Sequence, residues 1–281
     1  MQKRRFGYTD SDVSIIGQGT WYIDEGGRRT AVAALRRGLE LGMNHIDTAE
    51  MYGSGEAETI VGEAISGRRS EAFLVSKVMP QNATRSGTVT ACERSLARLG
   101  TDHLDCYLLH WRGNHPLEET VTAFDILQRT GKILSWGVSN FDVQDLEDLR
   151  AVDDNVTFAC NQVLYNLEER TVEHAVLPWC EKYGVAVTAY SPFGHGNFPG
   201  RHDPESHVLL EIAKAHGATQ RQVALSFLTQ RPSVFAIPKA SSPGHAEENA
   251  RAGDLTLTDV ELGRIDHAFP LGPLPDRLPM I

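Results

Sequence analysis

The sequence predicts a (β/α)8 barrel of the TIM type, with an N-terminal hairpin and two extra helices, from three observations. Eight short β-rich runs alternate with longer helical patterns over 281 residues, as parallel strands joined by crossover helices require. Several helical patterns stop near a glycine (Gly42, Gly100, Gly131, Gly184 and Gly217), the residue that most easily adopts the left-handed C-terminal cap. Three successive β-rich runs end in an ionisable residue, Asp47, Lys77 and His110, at the barrel end where active sites of this fold lie.

In chain order, Arg4–Ser14 reads as the hairpin and Ser14–Ile16 as the first barrel strand. The remaining strands are predicted at His45–Asp47, Ala72–Lys77, Leu104–His110, Ser135–Ser139, Phe158–Val163, Val185–Tyr190 and Val234–Pro238. Helices are predicted at Thr30–Leu41, Glu56–Ile65, around Val89–Leu99, and at Leu117–Arg129, Val143–Leu149, Ala175–Tyr183 and Val208–His216. In Glu56–Ile65 the residues Ala57, Ile60, Val61, Ala64 and Ile65 keep one apolar face. Thr219–Gln230 is an extra helix before the last strand. Ser242 caps a helix with Pro243 at its first position. Thr258–Phe269 is the second extra helix, opened by Thr258 and Glu261 as a capping box. The tail Pro270–Ile281 holds four prolines and should be irregular.

A doubly wound dinucleotide fold is the competing architecture. It needs a glycine-rich turn that opens a helix directly after the first strand. Gly17-Gln-Gly19-Thr-Trp21 lacks the third glycine and the immediate helix, and Gly194-His-Gly196-Asn-Phe-Pro-Gly200 has the wrong spacing. Both read as loop punctuation. No linker, internal repeat or low-complexity segment interrupts the chain, so residues 1–281 are expected to form one domain.

The net charge of −10, with no long run of one sign, disfavours nucleic-acid binding, which needs a basic stripe to neutralise phosphates. No apolar run approaches a membrane span, and the charged N-terminus lacks the apolar segment of a signal peptide. A cytoplasmic protein is expected. Cys92, Cys106, Cys160 and Cys180 form no CxxC pair and fall within apolar patterns. They read as buried reduced thiols rather than disulfides or a metal site.

Strand side chains alternate between faces. His45 shares a face with Asp47, Phe73 and Val75 with Lys77, and Leu104, Cys106 and Leu108 with His110. Each ionisable residue therefore continues a mostly apolar inward row and emerges inside the barrel rim. Tyr52 lies in the loop after the first of these strands. Any one of the four is most simply core or loop filler; all four together read as an acid–base site. A phenol at its ordinary pKa is a poor acid at neutral pH. An adjacent ammonium, here Lys77, lowers that pKa, and Asp47 would keep Lys77 charged and oriented. His110 would hydrogen-bond a carbonyl oxygen. The set suits proton delivery to a developing alkoxide during carbonyl reduction.

With Gly42–Ile65, Leu104–His110, Ile133–Phe141, Asn161-Gln162 and Ala189-Tyr190-Ser191-Pro192 in order, the chain resembles the aldo-keto reductase superfamily from about Phe6 to Asn249. The resemblance implies a barrel that binds NADPH in an extended form, with Tyr52 as general acid and Asp47, Lys77 and His110 as its partners. It implies that Ser139, Asn140 and Gln162 hold the nicotinamide carboxamide and that Tyr190, followed by Ser191, Pro192 and Phe193, stacks on the ring. Gly19 and Thr20, with Trp21, correspond to the first-strand loop near cofactor and substrate. Lys239 corresponds to the lysine near the adenosine 2′-phosphate, followed by Ala240 and Ser241; Glu248 and Asn249 correspond to the adenine contacts. Free N–H groups at the helix opened by Ser242 would attract phosphate.

Two positions depart from that pattern. Ala240 stands where serine or threonine is common after the lysine, and His245 where arginine is common. Arginine grips phosphate through two hydrogen bonds, whereas histidine is mostly neutral at pH 7. NADPH is the expected cofactor, with a weakened preference over NADH. Trp21, Met51, Trp111 and Phe193 are expected pocket walls, and the tail from Leu271 is expected to cover one side. The loops Trp111–Pro116 and Gly194–Pro204 are short, which suggests an open site for a small carbonyl substrate. A monomer is expected by analogy. The alternative function is a cofactor-binding regulatory subunit with little turnover, disfavoured because all four catalytic positions are filled.

Overall fold

The computed structural model describes residues 1–153, 157–196, 198–200 and 203–281. Asn197, Arg201 and His202, within the loop Gly194–Pro204, lie outside the described residues. An antiparallel hairpin, β1 (Lys3–Arg5) and β2 (Asp12–Ser14), precedes the barrel. Among the described residues, eight strands then form one parallel sheet: β3 (Gln18–Gly19), β4 (His45–Asp47), β5 (Phe73–Val78), β6 (Leu104–Leu109), β7 (Ile133–Ser139), β8 (Cys160–Leu164), β9 (Ala186–Tyr190) and β10 (Val234–Ala236). They neighbour one another in chain order. Bridges Ile16–Ala236 and Gly19–Lys239 join the first strand region to the last, closing the (β/α)8 barrel.

The helices are α1 (Arg28–Glu40), α2 (Glu56–Ile65), α3 (Arg85–Leu99), α4 (Leu117–Arg129), α5 (Val143–Arg150), α6 (Val176–Tyr183), α7 (Pro204–Ala215), α8 (Gln220–Leu228), α9 (Pro243–Ala252) and α10 (Asp259–Ala268). The five expected glycine stops all have positive φ, from 60° to 85°. Thr258 and Glu261 form the expected capping box on α10, and a second one, Thr219 with Gln222, opens α8. The extra helices α8 and α10 stand where expected. The tail has no regular structure.

The first strand departs from expectation. Ser14–Ile16 is not the barrel strand: Ser14 ends the hairpin, and the rung paired with β4 is Gln18–Gly19. A Cβ on Gly17 would lie 2.9 Å from the His45 carbonyl oxygen, and one on Gly19 2.5 Å from that of Ile237. Gly17 lies against His45 of β4 and Gly19 against Ile237 beside the last strand, with no room for a side chain at either, so both positions are glycine, a residue of low strand propensity.

Two apolar clusters divide the interior. The larger fills the space between the sheet and its helices. The smaller fills the inside of the barrel with Phe73, Val75, Cys106, Leu108, Cys160 and Phe235, plugged by Phe6 of the hairpin. Phe73, Val75, Cys106 and Leu108 are inward positions expected from strand phase, whereas Leu104, expected in the same row, packs in the larger cluster. All four cysteines are buried and unpaired. No helix among the described residues is long and apolar enough to cross a membrane.

Candidate active site

The inward rows continue past the apolar plug into polar residues at the strands' C-terminal ends. Lys77, on β5, is fully buried. Its Nζ donates to Asp47 Oδ1 at 2.6 Å, to the Thr48 carbonyl at 2.9 Å and to the Tyr52 hydroxyl at 3.2 Å. The second Asp47 oxygen accepts from Gln162 Nε2 at 2.7 Å, across the barrel from β8. Thr20 Oγ1 donates to the Asp47 carbonyl at 2.9 Å. The His110 ring lies 5.7 Å from that of Tyr52, edge to face. The four residues singled out in the sequence therefore converge.

Burial dominates the electrostatics. It raises the pKa of Tyr52, and the opposing effect of Lys77 does not fully offset it. This corrects the expectation of a net lowered phenol pKa: the ammonium is in place, but the desolvation of a buried phenolate outweighs it. Burial alone would lower Lys77; Asp47 and Tyr52 together overcome this and raise it. Burial likewise raises Asp47 against the pull of Lys77 and Gln162. For His110, burial and then Lys77 push the pKa down to about 2. The site thus holds a protonated phenol, a charged lysine and a neutral imidazole near pH 7.

Above this cluster opens a cavity of about 470 Å³. It is lined by Gly19, Thr20, Trp21, Asp47, Met51, Tyr52, His110 and Trp111, and on the opposite side by Ser139, Asn140, Gln162, Tyr190, Ser191, Pro192, Phe193 and Lys239. Tyr190 OH donates to Asn140 Oδ1 at 2.9 Å, and Asn140 Nδ2 donates to the His110 carbonyl at 3.1 Å. Asn140 and Ser191 both hold positive φ, 61° and 47°, backbone strain of the kind that gathers at functional sites.

Five cofactor positions implied by the resemblance lie outside this lining. Ala240 is buried, Ser241 and His245 are exposed, and Glu248 and Asn249 sit further along α9. Ser242 caps α9 by accepting the His245 N–H. Exposed Lys239 links the cavity to that helix start.

The sequence missed Tyr22 and His195, which also line the cavity. Trp21 stacks on Tyr22 at 4.6 Å and on His195 at 5.3 Å. Tyr22 holds φ 59°, rare for an aromatic residue, and no local pattern announces it. Met280 and Ile281 reach the cavity too, so the tail covers one side as expected.

The model of the Aldo/keto reductase family matches residues 15–269. The chain is 45% identical over 274 residues to methylglyoxal reductase YeaE of Escherichia coli (strain K12), covering 96% of each. It is 32% identical over 266 residues to the glyoxal reductase of Bacillus subtilis (strain 168), covering 94% of this chain and 92% of that one. Among solved structures, an aldo/keto reductase from Klebsiella pneumoniae in complex with NADP and acetate superposes with a TM-score of 0.94 at 44% identity, covering 100% of this chain and 99% of that one. A family match across most of the chain, on the barrel and site geometry just described, leaves one conclusion: the chain belongs to the aldo/keto reductase family.

Proposed function

We propose that the protein reduces aldehydes and reactive ketones to alcohols with NADPH, and that Tyr52 supplies the proton. The observation that carries this reading is the buried Asp47–Lys77–Tyr52 chain of contacts, 2.6 and 3.2 Å, at the floor of an open cavity. The relatives named for methylglyoxal and glyoxal point to small 2-oxoaldehydes within the substrate class.

The residues present fit a nicotinamide dinucleotide. Ser139, Asn140 and Gln162 offer amide and hydroxyl groups on one wall beside the Tyr190 ring, where a planar carboxamide could be held. Lys239 and the N–H groups at the start of α9 supply positive charge where phosphates would lie. His245 and Ala240 leave the 2′-phosphate with a weaker grip than an arginine and a serine would, so NADH is a secondary cofactor. When bound, the reduced nicotinamide supplies the hydride.

Around that transfer, the protein's own groups manage charge. The raised pKa keeps Tyr52 protonated near neutrality, so its O–H is available to a carbonyl oxygen in the cavity. As negative charge builds on that oxygen, the phenol hands over its proton. The charge left on the phenolate then lies beside Lys77 Nζ, where attraction is strong because water is excluded. Asp47 and the Thr48 carbonyl fix that ammonium, leaving its third donor for Tyr52. Neutral His110 orients the carbonyl without competing as an acid. Trp21, Met51 and Trp111 form the apolar walls that receive the rest of the substrate.

The test is oxidation of NADPH and of NADH with methylglyoxal, 4-nitrobenzaldehyde and a simple ketone. Turnover with the aldehydes and a preference for NADPH are expected. No turnover with any of them would refute the reading and favour a cofactor-binding regulatory subunit.

A further inference from the structure

Glu50 lies between Asp47 and Tyr52 in the chain but does not line the cavity. Its side chain is nonetheless only 7% exposed. Its Oε1 accepts from the Met79 backbone N–H at 2.8 Å and from Asn82 Nδ2 at 2.9 Å. Its Oε2 faces Arg94 Nη2 of α3 at 3.8 Å. Met79 and Asn82 belong to the segment that follows Lys77.

The placement of these bonds matters. Beyond the end of β4, the chain keeps a ladder with β5: Thr48 N–H donates to the Val75 carbonyl at 2.9 Å and Glu50 N–H to the Lys77 carbonyl at 3.4 Å. There the backbone turns away, with the Tyr52 N–H donating to the Ala49 carbonyl at 3.1 Å, and Gly53, Ser54 and Gly55, which follow Tyr52, all hold positive φ. A next rung can no longer come from the main chain. The Glu50 carboxylate supplies it, taking the Met79 N–H two residues past Lys77. The loop that carries the phenol and the strand that carries the ammonium are thus tied together at the point where they part.

We propose that Glu50 is a positioning residue that sets the Tyr52–Lys77 separation by completing this ladder with its side chain. The inference rests on the reading of Tyr52 as proton donor. It assigns the hydrogen-bonding oxygen and the side-chain length as the features that matter, rather than the charge. Glu50→Gln keeps both features. Glu50→Asp keeps the charge and loses the reach, and Glu50→Ala loses all three.

The experiment compares Glu50→Gln, Glu50→Asp, Glu50→Ala and Tyr52→Phe for kcat with an aldehyde, for NADPH dissociation by fluorescence titration, and for thermal unfolding. Glu50→Ala and Glu50→Asp should lose about 10²-fold in kcat, the scale of a misplacement near 1 Å at a reacting centre. NADPH affinity should stay within about twofold, and Glu50→Gln should stay within about threefold of the parent in kcat. If Glu50→Ala does not fold, Glu50→Asp carries the test. Silent Asp and Ala variants beside an inactive Tyr52→Phe would overturn the Glu50 inference alone. Equal losses in kcat and NADPH affinity in all three Glu50 variants, with lowered melting temperature, would overturn it in favour of a merely structural role. An active Tyr52→Phe would instead overturn the proton-donor reading on which it rests.

Discussion

Strand β4 carries two buried ionisable side chains two residues apart on one inward row, and the two ends of the barrel interior treat them in opposite ways. His45 lies at the plugged end, edge-on to Phe6, Phe73 and Phe235 at 5.5 to 6.4 Å. Neither of its ring nitrogens has a hydrogen-bond partner among the described residues. Burial, and then Lys77, drive its pKa down to about 3, so it is held neutral as filler. Asp47 lies at the open end, and both of its oxygens are satisfied, one by Lys77 and one by Gln162. Burial is nearly equal. What differs is whether donors converge: Asp47 has two, and His45 has no partner at either nitrogen among the described residues.

The largest effect should come from removing the ammonium at the open end. Lys77→Met leaves Asp47 buried and uncompensated, a loss of about 3–5 kcal/mol of stability in addition to loss of reduction. Denaturant unfolding together with NADPH oxidation would measure both. A variant as stable as the parent would mean that the Asp47 charge is not held by Lys77.

At the plugged end the expected pattern is reversed. Phe235→Ala empties part of a close-packed interior and should cost about 3–5 kcal/mol, while the folded fraction keeps its kcat. A specific loss of kcat in folded protein would show that the plug and the site are not separable.

The next effect is a pH dependence. His45 titrates near 6.5 when unfolded but near 3 in the fold, and His110 near 2. Between these values the unfolded chain binds protons that the folded chain refuses. Their stabilising contribution is therefore present above pH 6.5 and is lost as pH falls, by about 1.4 kcal/mol per unit for each histidine. His45→Leu, similar in volume, should change stability at pH 8 by less than about 1.5 kcal/mol and make the fall between about pH 6.5 and 5 visibly shallower. An unchanged slope in chemical denaturation would contradict the placement of His45 as a buried neutral group. The smallest expected change is His245→Arg at the start of α9. It should raise NADPH affinity over NADH by about tenfold, the scale of one added charge-assisted hydrogen bond, without altering kcat.

The open end was the more legible of the two. Asp47, Lys77 and His110 could be placed on the inner wall from strand alternation alone, because period-2 phase is local and the apolar rows leading to each are clear. The first barrel strand was not legible. Gly19 serves the close backbone approach that closes the ring and Gly17 the close approach to His45 of β4, and both are properties of the whole sheet. The direction of the Tyr52 pKa was hidden for a similar reason. The sequence names the neighbour that lowers it, Lys77, but not the burial that raises it. Tyr22 and His195 depend on the course of two loops that meet only in three dimensions.

The Lys77 ammonium held against the Tyr52 hydroxyl is what would make Tyr52 the acid of a carbonyl reductase, and Tyr52→Phe probes this with the least disturbance, removing one oxygen and leaving the ring in place. Aldehyde reduction should fall by about 10²–10⁴-fold, with NADPH affinity and thermal stability close to the parent's. Reduction at the parental rate in a folded, NADPH-binding Tyr52→Phe protein would contradict that role.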